Sequence, residues 1–563
     1  MQQSVTANIH PYRALARKTW RHTANAGRLM RSQSAFKVWF IICFAVAFEL
    51  GLIVLFYDAF RFLHLLGGVG TIIISRLFSL FFLGTGAMLI VSSVVTSYST
   101  LYRSEEISFL LERPYRPSQI VLYKFLEAAG MSSWAFVFMI VPFILAYAIH
   151  ERLSPLFALW TFLFSAPFLL LCSGIGTFVT IAAVRWSPRG GLLRLLAVVL
   201  AAGAGVWIWH SVRAASAAAQ DAQLNLLNLV PGLSLASNPL LPSWWMAEGI
   251  QSLVDARWAR GVLLWGVLTS NALMLTVCLE ALGEWTFFEG WQHVLASQER
   301  RRRSSPLFGY LDRLFRLAPP DVRAMLMKDI RTFFRDPTQW SQALIFFGLL
   351  ALYFANLRSF RYHALPESWR NTIAFLNVFS VSAVMCSLGS RFVYPQLSLE
   401  GQGFWILGMS PTTMRRVLTA KFALSALGLL VTSSALMWLS SSMLASSPAS
   451  RWVAMILACA VALAVSGLST GLGALFIDLH QRNPAAIVSG FGGTLNLVLS
   501  LGFMLAAILP FGLIFHEHFV REIPIRHLAP ELAIAGVWLL AVTATATVLP
   551  LWLGCRSLQQ REF

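Results

Sequence analysis

Long uninterrupted apolar runs, separated by short polar breaks, set the pattern of this chain. Crossing about 30 Å of hydrocarbon takes about 20 helical residues, and only helices or closed barrels satisfy their own backbone there. The runs are continuous rather than alternating, so helices are expected and a barrel is not. Reading runs and breakers predicts spans near 38–57, 71–100, 121–149, 156–184, 190–210 and 259–284. A second set is predicted near 340–357, 372–395, 417–443, 452–477, 485–514 and 530–555. The expected fold class is an all-α polytopic membrane protein of about 12 transmembrane helices, arranged as two parallel six-helix repeats. The expected domains are 1–290, a six-span unit with a basic amino-terminal segment, 291–322, a basic cytoplasmic linker, and 323–563, a second six-span unit.

Two polar islands interrupt the apolar pattern: EEISFLLERPYRPSQIVLYKF (Glu105 to Phe125) and EGQGFWILGMSPTTMRRVLTAKF (Glu400 to Phe422). Each falls between the second and third predicted spans of its half. Setting Pro114 against Pro411 brings Lys124 opposite Lys421, Phe125 opposite Phe422, Ile120 opposite Val417 and Leu110 opposite Leu407. Removing Gly401, Gln402 and Gly403 as an insertion then brings Glu400 opposite Glu106. A second echo lies after the fourth span of each half, where Gly174-Ile175-Gly176 precedes Pro188 and Gly471-Leu472-Gly473 precedes Pro484. These matches point to internal duplication. Phe109, Leu110 and Leu111 form an apolar patch on an expected short helix, and the following proline begins the next element. One copy reads equally well as a solvated loop or a docking surface, and its return at an equivalent place favours docking.

Composition changes the picture in three ways. Hydrophobic residues are 57% of the chain, charged residues 12%, and the mean hydropathy is +0.67, which excludes an ordinary globular protein. The net charge of +18 comes largely from seven Lys/Arg in residues 1–37 and ten in residues 297–335, including Arg300 to Arg303. Both clusters flank spans, so the positive-inside bias explains them with both termini cytoplasmic, and no nucleic-acid partner is expected. Five cysteines (Cys43, Cys172, Cys278, Cys386, Cys459) fall in predicted spans and Cys555 closes the last, without disulfide or zinc spacing. The first apolar run, behind a basic tail, reads as a signal anchor rather than a cleaved leader.

Catalytic constellations are missing. No G-x-x-x-x-G-K-[ST] phosphate loop, H-E-x-x-H helix or Gly-rich nucleotide fingerprint occurs, so no enzyme activity and no metal or cofactor of its own are expected of this chain. His516-Glu517-His518, expected on an exposed loop, is a weak metal signal. Within the spans, Glu49 and Arg76 lie at similar depth and are candidates for an intramembrane ion pair, against the alternative that Arg76 snorkels outward. The outer segment 211–258 is expected to carry an amphipathic interfacial helix through Trp244, Trp245, Ile250, Leu253 and Trp258, with Asn238 and Pro239 opening the turn before it. Such a helix would be an anchor or a flap over an exit path.

The islands resemble the coupling helices of the ABC type-2 permeases, the membrane subunits of ATP-binding cassette exporters. The likeness rests on an acid, a leucine-rich turn, Pro, a hydrophobic pair and Lys, as in Glu106 to Lys124 and Glu400 to Lys421. Lys328 to Gln342 (KDIRTFFRDPTQWSQ) and Asp478 to Gly493 (DLHQRNPAAIVSGFGG) resemble bacterial exporters that fuse two such units, whereas Trp186 to Gly191 (WSPRGG) departs from that pattern. The resemblance implies a permease in a bacterial inner membrane, moving an amphipathic or lipid-linked substrate outward, with ATP and Mg held by two separate ATPase subunits. It assigns partner binding to Glu106, Phe109, Leu110, Pro114, Lys124, Glu400, Phe404, Leu407, Pro411 and Lys421, with support from Asp478 and Pro484. Phe109 and Phe404 are expected to fill a partner's cleft and Glu106 and Glu400 to orient it. An ion-coupled secondary transporter or channel is the alternative.

Overall fold

The computed structural model describes residues 35–64, 68–102, 104, 106–186, 238–300, 308–309, 312–313, 315–335, 367–444, 448–479, 487–488, 490–520 and 527–560, together with Lys18 and Arg21. Among them every element is helical and no strand occurs. The chain divides into two compact units that meet in sequence between Arg303 and Ser304.

The first unit holds α1 (Ala35–His64), α2 (Gly68–Tyr102), α3 (Glu106–Leu111), α4 (Pro117–His150), α5 (Leu156–Trp186), α6 (Pro242–Val254) and α7 (Trp258–Arg300). The second holds α8 (Pro320–Arg335), α9 (Glu367–Leu388), α10 (Phe404–Met409), α11 (Met414–Leu444), α12 (Pro448–Leu475), α13 (Phe491–Val520) and α14 (Ala529–Gln559). Eight of these helices are long and apolar enough to cross a membrane, and α4, bent by 45° beside Trp134, makes nine if counted as one span. They coincide with nine of the twelve expected runs. The runs near 190–210 and 340–357 lie outside the described residues. The run near 372–395 is helical as α9, then widens into a π turn (Gly389–Val393) and tightens into a 3-10 turn (Tyr394–Gln396). Because α7 continues to Arg300, the expected linker at 291–322 begins inside a helix.

Helices in lipid gain little from burying apolar area against one another, so close approach and buried hydrogen bonds must hold them together. In the first unit α5 is the hub, packed on α2 and α7, and in the second α12 has that place, packed on α9, α11 and α14. The echoed glycines explain the approach. A Cβ on Gly176 would lie 2.6 Å from the Ile90 carbonyl oxygen of α2, and one on Gly473 would lie 2.3 Å from that of Tyr394, just beyond α9. Hydroxyls seal the first seam: Ser93 donates to the Ser173 carbonyl at 2.8 Å, and Thr180 to that of Val94 at 3.0 Å.

Three expectations are corrected. Glu49 and Arg76 do not pair: no ion pair joins the two, and Glu49 Oε2 has no hydrogen-bond partner among the described residues. Equal depth was not enough, because α1 turns its face mainly to α4, as the Phe48–Phe138 stack at 5.7 Å records, rather than to the helix that carries Arg76. Helix α6 is no surface anchor; Met246, Ala247, Ile250 and Leu253 are buried in the unit's interior with Phe164 and Leu264. Asn238 Oδ1 does accept the Leu240 N–H at 3.0 Å, the turn expected before it. His516 to His518 belong to α13 rather than to an exposed loop.

Candidate functional site

Each island folds as a short helix lying between two long ones: α3 between α2 and α4, and α10 between the turns after α9 and the start of α11. In the first, Ile107 and Leu110 are buried against Leu101, Tyr102 and Ile120, while Phe109 remains 53% exposed. In the second, Phe404 is buried with Leu397, Leu418 and Leu558, and Leu407 packs beside it. Phe404 is 1% exposed, which overturns the expectation that it fills a partner's cleft. The register set by the two prolines aligns Phe404 with buried Ile107, and Ile406, 58% exposed, with Phe109. Trp405 and Met409 widen the second exposed patch. Pro114 and Pro411 are both exposed at the ends of their helices.

Beneath each helix sits a buried lysine. Lys124 and Lys421 are each 1% exposed, an arrangement that a cation tolerates only when carboxylates compensate its lost hydration. Lys124 Nζ donates to Glu106 Oε2 at 2.8 Å and to Glu127 Oε2 at 2.7 Å, and Lys18 forms a further ion pair with Glu106. Lys421 Nζ donates to Glu400 Oε1 at 2.8 Å and to Asp329 Oδ2 at 2.9 Å, and Lys328 reaches the two Glu400 oxygens at 2.5 and 2.6 Å. Each site is thus a quartet of two ammonium groups and two carboxylates, with no net charge. Glu106 and Glu400 are therefore engaged in ion pairs within the chain.

Burial alone would raise the Glu400 carboxyl, but Lys421 and Lys328 outweigh it and hold the group below the ordinary carboxylate value. Lys18 is held below its ordinary value by burial and by Lys124, with Glu127 acting in the opposite direction.

Lys18, Lys328, Glu127 and Asp329 are site residues that inspection of the islands alone misses. A signal for two of them exists: RALARKTWR at Arg13 to Arg21 and RAMLMKDIR at Arg323 to Arg331 share R-A-x-x-x-K-x-x-R, with Lys18 and Lys328 in register. The chain has five lysines against many arginines, and four of the five form the quartets. The physical reason is shape, since a compact ammonium with three rotatable donors can serve two carboxylates in a tight space where a planar guanidinium fork cannot turn.

The segment that brings Lys328 is fixed independently. Met325 and Leu326 of α8 pack on Val417 and Ala420 of α11, and Arg323 makes a two-point ion pair with Asp312. The insertion is accommodated in a 3-10 turn, Ser398–Gly403, in which Gly401 adopts φ 55°, a region that favours glycine. Ser398 Oγ accepts the N–H of exposed Asp478 at 3.1 Å, tying the end of α12 to this turn, whereas Pro484 lies outside the described residues.

A family model described as "Putative ATP-binding cassette" matches residues 30–563. No curated protein and no solved structure matches the chain.

Proposed function

The chain belongs to the family described as "Putative ATP-binding cassette", and from that premise we propose that it is the membrane-spanning permease of an ATP-driven exporter, with α3 and α10 as its coupling helices. A coupling helix has two tasks: it must offer a soluble partner an apolar grip, and it must be tied to the spans so that its displacement moves them. The observation that carries the reading is that both islands combine the two. Phe109 and Ile406 stand exposed, while the quartets beneath tie α3, and the 3-10 turn that leads into α10, to the following long helices through Lys124 and Lys421.

ATP and Mg²⁺ belong to the partner in this reading, because the chain has no phosphate loop of its own. Two islands call for two ATPase subunits on one chain, with both islands and both termini on the cytoplasmic side of a bacterial inner membrane and an amphipathic or lipid-linked substrate moving outward. The two units, with their matching glycines, lysines and exposed apolar positions, are read as repeats of one ancestral six-span unit. An ion-coupled carrier is the second reading, favoured by the buried Glu49 Oε2 in α1, which has no hydrogen-bond partner among the described residues.

Affinity purification of the chain from its own membranes in mild detergent tests the proposal. An ATPase carrying a phosphate loop should copurify at two subunits per chain. Transport that continues after that ATPase is removed would favour the ion-coupled carrier instead.

A further inference from the structure

At the end of the first unit remote from α3, two helix ends meet. His64 is the last residue of α1 and His150 the last of α4, and the ligand atoms of His64, His150 and Glu151 all lie within 4.8 Å of one another. We propose that these three side chains bind a divalent transition-metal ion of the zinc type, bridging α1 and α4.

Four observations support the site. The ligand set is two imidazoles and one carboxylate, the donors that zinc and its neighbours prefer, with room for water in a fourth position. The His150 ring is held by aromatic groups on one face of α1, edge-on to Tyr57 at 5.9 Å and to His64 at 5.4 Å and stacked near Phe60 at 6.4 Å. Glu151 stands on a rigid cap: its N–H donates to the Tyr147 carbonyl at 2.9 Å, Arg152 follows at φ 52°, and the Leu153 N–H returns to the Ala148 carbonyl at 3.0 Å. Both histidines close a helix, where unpaired carbonyls carry partial negative charge and favour a cation.

Around a tetrahedral zinc ion, neighbouring nitrogen and oxygen ligands stand roughly 3.4 Å apart. His150 Nε2 and Glu151 Oε1 already stand 3.8 Å apart, so closing on the ion asks mainly for an approach of His64, which draws the end of α1 towards that of α4. His64 and Glu151 are exposed and His150 is half-buried, so the ion can enter without opening the bundle. Arg61 and Arg152 are the nearby cations in sequence and Asp58 the nearby acid, and none of them belongs to the three-residue group.

The test is calorimetric titration of zinc into the purified, chelator-stripped full chain. The wild type should bind one ion that His64→Ala and His150→Ala each weaken about tenfold or more, a loss of the size seen when metal sites are disturbed. Glu151→Gln should have the smaller effect. His516→Ala with His518→Ala, and replacement of the six unpaired cysteines, should leave this binding in place. A His64→Cys, His150→Cys variant guards against misfolding, because a properly placed thiolate pair regains zinc binding. Unchanged affinity in both histidine variants, no zinc bound by the wild type, or a site that vanishes with His516 and His518 would overturn the proposal.

Discussion

The two islands reach the same electrostatic end by different residues. In both, a buried lysine on the long following helix holds a glutamate on or just before the short one, and a second lysine from an upstream segment bonds that glutamate again. The second carboxylate differs in origin. In the first unit it is Glu127, one turn along α4 from Lys124, whereas in the second it is Asp329, next to Lys328 on α8. In register, Asp329 replaces Thr19 and Leu424 replaces Glu127. What is held constant is neutrality around a buried ammonium rather than the identity of a position. The physics requires that, because a buried lysine with too few carboxylates would lose its proton or expel itself.

The largest effects should separate interior from surface within the same short helices. Phe404→Ala opens a cavity in the second unit and should cost about 3–5 kcal/mol, while Phe109→Ala, a surface change, should stay within about 0.5 kcal/mol. Denaturation in detergent–SDS mixed micelles, read by helicity, measures both. Lys421→Met leaves Glu400 and Asp329 with Lys328 as their one remaining cation and should cost about 3 kcal/mol, with Lys124→Met close behind. Lys421→Arg should also destabilise although the charge is kept, which sharpens the point about shape.

The swap of the second carboxylate supplies the next test. Glu127→Leu imitates the second unit by halves and should cost about 2 kcal/mol by removing a charged hydrogen bond. Adding Thr19→Asp completes the imitation and should recover more than half of the loss. Rescue in this double variant, absent when Thr19→Asp is made alone, marks the quartet as the unit of design.

A smaller effect is expected from pH. The folded Glu400 value lies below the ordinary carboxylate value of about 4.3. A depressed acid contributes stability that is complete above the ordinary value and is lost as pH falls through the depressed one. Thermal stability of the purified chain should therefore be flat with respect to this group from pH 7 to about pH 5 and decline only at lower pH, and Glu400→Gln should remove that part of the decline.

Much of this was legible in the sequence because hydrophobic run length and proline position are strong signals. Nine helices long and apolar enough to cross a membrane, both short island helices and the alignment register of Lys124 and Lys421 followed from them. Phe404 was misjudged because it is the aromatic nearest Glu400, while the insertion Gly401 to Gly403 lies between the two and shifts the local count. The register from Pro411, on the uninterrupted side, leads instead to Ile406. Glu49 and Arg76 failed for a different reason: sequence gives depth along a span but not the direction a helix faces. Helix α6 failed because an apolar stripe with tryptophans looks the same whether it lies on lipid or against protein. The quartets' upstream lysines were hidden by distance along the chain, although their shared R-A-x-x-x-K-x-x-R frame was in view.

The central claim, that exposed apolar groups on α3 and α10 hold a separate ATPase while the quartets only brace them, is tested most directly by native mass of the purified complex. Phe109→Ala with Ile406→Ala should leave the chain folded and lose the ATPase, since truncating a central interface anchor typically costs about 2 kcal/mol or more at each site. Retention of two ATPase subunits by that double variant, at wild-type affinity, would contradict the account.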